Sequence, residues 1–207
     1  MNEIYYITNG ETSTGIVLNQ DDVMIVYEGG SASNTTVNYE GELNVWEGGK
    51  VELTTLNYDG NMFVSNGGTA TDTGIKDGGW MEVQMGGKAA KITVNSNGRL
   101  NVSSGGTATD ITAEAGARLD FAVAPDTYAK GTYNGSAFEI KGGVVSGYTI
   151  YPYCELKVVN GGKADKITVN SDGSLYVSSG GTATDITAEA GAWLDFAVAP
   201  DTYAKGT

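Results

Sequence analysis

The stretch Gly86-Gly-Lys-Ala-Ala-Lys-Ile-Thr-Val-Asn-Ser-Asn-Gly-Arg-Leu-Asn-Val-Ser-Ser104 is one unit of a repeat, and the repeat decides the fold. Its opening Gly-Gly recurs at 29–30, 48–49, 67–68 and 105–106 in steps of 19 residues, and again at 142–143, 161–162 and 180–181. The interval from 105 to 142 is 37 residues, two periods less one. Ala124-Pro125 and Ala199-Pro200 stand where Gly pairs are missing, and Gly10-Glu11 begins the series. The frame gives ten repeats between 10 and 198: nine of 19 residues and one, 124–141, of 18.

Counting each unit from its first Gly, position 15 runs Met24, Leu43, Met62, Met81, Leu100, Leu119, Phe138, Leu156, Leu175, Leu194. Position 17 runs Val26, Val45, Val64, Val83, Val102, Phe121, Ile140, Val158, Val177, Phe196. Position 9 is apolar in nine of ten units, Thr132 being the exception, and position 7 is mostly Ile or Thr. Steps of two are the strand period, whereas a helix needs steps of three and four. Asn at position 10 and Gly at position 13 signal one turn, and the Gly pair supplies a second where positive φ is needed. Each unit is therefore strand, loop, strand, turn. One such unit cannot bury its apolar face, but stacked units pair their backbones and merge their apolar columns into an interior. The expected fold is all-β, a right-handed parallel β-helix (β-solenoid) of about ten coils. At a sheet spacing of about 4.8 Å it forms a rod roughly 50 Å long. A sandwich of hairpins would not hold one frame over ten units.

Residues 87–132 and 162–207 match at 41 of 46 positions. The differences are Ala90/Asp165, Asn97/Asp172, Arg99/Ser174, Asn101/Tyr176 and Arg118/Trp193, none at an interior position of the frame. A block copied in this way extends length and is a poor place for a single active site. We expect one domain, 1–207, cut from a longer repeat protein, because the second copy stops within a coil.

The 207 residues carry 12 Lys and Arg, 25 Asp and Glu, and no His, for a net charge of −13. That charge disfavours nucleic acid and anionic membranes as partners. Without His the commonest general base and most zinc or copper sites are gone. The single Cys154 makes no internal disulfide or CxxC pair; at position 13 it reads as a surface thiol or as a replacement for the turn Gly. No apolar run reaches 18 residues, so this segment is not membrane-inserted. The Gly pairs precede no helix or Lys-Ser/Thr and are not phosphate loops.

The units 86–104 and 161–179, with Gly-Gly-Thr-Ala-Thr-Asp at 67, 105 and 180, resemble the strand-loop-strand repeats of AIDA-type autotransporter passengers. The resemblance implies a self-associating adhesin displayed at the bacterial cell surface or outside it, serving adhesion, autoaggregation or biofilm formation. It also implies a heptosyltransferase that modifies Ser and Thr hydroxyls. The function expected is a rigid adhesin passenger segment. A passive stalk of a larger surface protein is the alternative, and a polysaccharide-acting enzyme a distant third, since the frame shows no coil with a long insertion. No catalytic, cofactor or metal residues are assigned. Thr-x-Thr pairs do not fall on neighbouring coils, against ice binding. Ser65, Ser103, Ser104, Ser178 and Ser179 precede Gly pairs and are the candidate O-glycosylation sites. Tyr27 with Trp46, Tyr39 with Tyr58, and Trp80 are candidate ligand contacts, because flat aromatic ladders stack sugars or anchor a protein partner. Partners expected are a host-cell or bacterial surface protein or glycan, or a second copy of the chain.

Overall fold

The computed structural model describes residues 2–197 and 203–206, and among these there is no helix. Strands one coil apart pair in parallel into two long sheets. One holds ten strands, from Ile4–Ile7 to Trp193–Phe196, each normally 19 residues beyond its neighbour. The other holds sixteen and carries the first half of the units, together with Ser136–Lys141. The chain is thus a β-solenoid.

The apolar columns are the interior. Met24, Leu43, Met62, Met81, Leu100, Leu119, Leu156 and Leu175 of position 15 are fully buried. So are Val26, Val45, Val64, Val83 and Val102 of position 17. Residues between them face outward, as the two-residue strand period requires. Leu194, in the last strand of the ten-stranded sheet, is 39% exposed and does not share this burial.

Outside Gly142-Gly143, where both take positive φ, the two glycines of a pair do different jobs. The first adopts positive φ, as at Gly48 (φ +77°). The second has no room for a side chain: a Cβ on Gly49 would stand 2.1 Å from the Val26 carbonyl oxygen one coil back. A third corner lies at position 6, where Asn34, Leu53, Asp72, Lys91 and Asp110 all take positive φ.

The 18-residue unit at 124–141 is not a coil of the common kind. Tyr128–Tyr133 and Ser136–Lys141 pair antiparallel as a hairpin, and Ser136–Lys141 pairs antiparallel with Val144–Ser146. Asn134 (φ +44°) and Gly135 (φ +80°) form its tip, both in the left-handed region that a two-residue hairpin turn demands. Phe138 and Ile140 are buried, as their columns predicted, but from the sixteen-stranded sheet. The ten-stranded sheet passes the hairpin by: Arg118–Val123 pairs directly with Glu155–Val158. Phe121, Phe138 and Tyr148, with ring centroids 5.3–6.1 Å apart, fill the interior where the extra strand widens it. The expectation that no coil bears an insertion is therefore corrected.

Candidate ligand-contacting surface

Outward side chains form ladders because every position repeats one rung up. Asn38 donates through Nδ2 to Asn19 Oδ1 (3.0 Å) and accepts from Asn57 Nδ2 (2.8 Å). The aromatic candidates fall into the same geometry. Tyr27 and Trp46 meet at 6.3 Å with planes tilted by 56°. Tyr39 and Tyr58 are 6.5 Å apart with planes within 5°, and are 49% and 66% exposed. Trp80 is half-buried against the edge of Phe63 at 5.2 Å. The Arg99 guanidinium lies 6.0 Å from the Trp80 ring centre.

Tyr58 and Trp80 also flank an open groove of about 380 Å³. Its floor is the outer column at position 14, Asn61, Trp80, Arg99 and Arg118, which stand directly opposite one another on successive strands. Its rim is the turn ridge bearing Asp59, Asp77 and Asn97. The Tyr58 ring lies across Gly78, where an added Cβ would be 2.5 Å from Tyr58 Cδ2. Arg99 Nε donates to Asp120 Oδ2 at 2.7 Å. Burial holds the Asp120 carboxyl above its ordinary range, outweighing the attraction of Arg99. The Arg118 guanidinium packs 5.2 Å from the Tyr153 ring centre and has no ion pair among the described residues. Sequence reasoning had named Tyr58 and Trp80 as candidates. It missed the groove, although the frame already aligned Arg99 with Arg118.

The serine candidates divide. Ser65 Oγ donates to Gln84 Oε1, and Ser103 Oγ to Glu82 Oε1, each at 2.7 Å, and both residues are half-buried. Ser104, Ser178 and Ser179 are exposed, with Ser104 Oγ 3.4 Å from Asp126 Oδ1. Cys154 is buried, not a surface thiol. Its Sγ accepts from Leu119 N (3.3 Å) and donates to the Ala117 carbonyl (3.6 Å). Among the described residues no group of three or more His, Cys, Asp or Glu is placed to hold a metal ion, and no helix is long and apolar enough to cross a membrane.

A sequence model of one family, described as "Adhesin of bacterial autotransporter system, probable stalk", matches residues 4–60 and 130–192. No curated protein matches the chain. Among solved structures, the chain is similar to a TibA fragment hyper-glycosylated by TibC. The identity is 23%, with a TM-score of 0.46, over 97% of this chain and 94% of that one. With more than half its length matched by the family and its coils stacked into one solenoid, the chain belongs to the AIDA adhesin family of the bacterial autotransporter system and is a passenger stalk scaffold of that family.

Proposed function

We propose that this segment is a rigid display rod that makes contact itself, through the aromatic ladders of its N-terminal coils, with a glycan or protein at a cell surface. Family membership implies a place at the bacterial cell surface or outside it, and family and fold point to a structural, non-enzymatic protein. The observation that carries the proposal is the Tyr39–Tyr58 pair: two rings held parallel and largely open to solvent by backbones locked one rung apart. Solvent-facing aromatics so fixed lose little entropy when a sugar face or an apolar side chain stacks on them.

The test is adhesion of the purified 207-residue chain to cells and glycan arrays. Binding that falls about tenfold with Tyr58→Ala or Trp46→Ala supports the reading; a stacked ring supplies roughly 1–2 kcal/mol. Absence of binding by the intact chain would leave it a passive spacer. The uninterrupted ten-stranded sheet favours that second reading, since continuity is what a spacer needs. Heptosylation falls on the exposed Ser104, Ser178 and Ser179 ahead of the half-buried Ser65 and Ser103, because a transferase reaches the exposed residues more readily. Mass spectrometry after co-expression with a heptosyltransferase tests that order.

A further inference from the structure

We infer that the groove between Tyr58 and Arg118 is a binding site for an acidic oligosaccharide, a sugar chain bearing carboxylate groups. The inference rests on the contact reading above and names its ligand class.

Three observations lead there. First, the chain has only two arginines, Arg99 and Arg118, and they stand directly opposite each other on adjacent strands. Like charges so placed repel. Arg99 is paired with Asp120, while Arg118 packs on the Tyr153 ring and has no ion pair among the described residues. A ligand carboxylate supplies the missing counter-charge and suits the planar guanidinium fork. In a chain of net charge −13, a general basic surface does not explain the pairing.

Second, the groove combines what a sugar requires. Tyr58 and Trp80 supply aromatic lining, and both are held: Tyr58 across Gly78, Trp80 against Phe63. Asp59, Asp77 and Asn97 on the rim accept from hydroxyls. The groove is bipolar, with acids along the ridge and guanidiniums at the Arg118 end. A sugar's hydroxyls and its carboxylate have separate places.

Third, the two near-identical blocks differ here. Of the five differences between 87–132 and 162–207, four fall at Asn97, Arg99, Asn101 and Arg118. Three of these four line the groove. The other copy has Asp172, Ser174 and Trp193 at the matching places, with no cation. The scaffold is repeated while the groove chemistry is not. That is the pattern of a site present once on a duplicated rod.

The test is calorimetric titration of the intact chain with a galacturonate trisaccharide and, separately, with its methyl ester, which keeps the shape and removes the charge. The free acid is expected to bind at least about tenfold more tightly than the ester, with affinity falling as salt rises. Arg118→Gln should reduce the acid to the level of the ester. The second copy carries Trp193 at the matching position, so replacement there is compatible with the coil. Equal binding of acid and ester, or acid binding unmoved by Arg118→Gln, would overturn the inference. If that equal binding is still lost with Tyr58→Ala, the aromatic contact reading survives without the acidic ligand. If neither saccharide binds, the groove inference fails, and the cell-adhesion assay with Trp46→Ala decides the contact reading separately.

Discussion

Phe121 pairs with Leu156, so a residue at position 17 of one coil stands opposite position 15 of the next. Everywhere else in the ten-stranded sheet like pairs with like, as Leu100 does with Leu119. The slip is two residues, and two is the strand period, so every inward side chain stays inward. The sheet absorbs an inserted hairpin without turning its core out. The slip also sets the turn bearing Cys154 over Ala117 and Leu119. At the matching turn of a regular coil, a Cβ on Gly98 would lie 2.8 Å from the Ile75 carbonyl oxygen.

Burial pushes the Cys154 thiol up to about 11 from an ordinary 9.0. The folded state therefore holds this proton more tightly than the unfolded chain does. The contribution to stability is complete below pH 9 and is lost as pH rises toward 11. The loss amounts to about 2–3 kcal/mol. Denaturation of the intact chain and of Cys154→Ala at pH 8 and pH 10.5 measures the difference. The native thiol should also resist alkylation at pH 8 until the protein unfolds.

The first and second glycine positions of the pairs should differ in how much a side chain costs. Gly49→Ala forces a methyl group against the Val26 carbonyl and is expected to cost more than about 3 kcal/mol. Gly29 has φ +85° and no atom nearer than 3.9 Å to an added Cβ. Gly29→Asn should cost only about 1 kcal/mol, since Asn tolerates the left-handed region. Urea midpoints of the two variants make the comparison.

Thr54 and Thr73 sit in the interior column that continues as Ile92 and Ile111, and neither hydroxyl has a hydrogen-bond partner. Thr73→Val keeps the shape and removes a buried unpaired hydroxyl. It should stabilise by about 1 kcal/mol. Thermal unfolding of the variant gives the sign directly.

Leu53 takes φ +55° with half its surface exposed, at a corner where other coils place Asn34, Asp72 and Asp110. A leucine there bears left-handed strain and leaves an apolar side chain in water. Leu53→Asn should gain roughly 0.5–1 kcal/mol, raising Tm by about 1–4 °C. An unchanged or lowered Tm would mean that Leu53 packs in a way its exposure does not reveal.

The coils, their interior columns and the aromatic pairs were legible because each depends on the 19-residue frame, and the frame is printed in the Gly pairs. The hairpin was hidden by the same frame. Residues 124–141 are one short of a unit and put Phe138 and Ile140 at interior positions, so counting accepted them as a coil. The contrary signal was Asn134-Gly135, a two-residue hairpin turn between strand-like runs. Room for the Cys154 side chain was illegible for the same reason, since it follows from the register slip and not from any local pattern. The groove needed one more step: reading position 14 along the axis as well as along the chain.

One continuous rod runs past the hairpin, because the ten-stranded sheet is unbroken there. Native-state hydrogen exchange measures it most directly, at the amides of Leu156, Lys157 and Val158, which follow the junction. Protection there should be comparable to that of Leu100 and Val102 on the far side, with a single cooperative opening for both. Exchange orders of magnitude faster from 155 onward, or two separate openings divided at the hairpin, would contradict it.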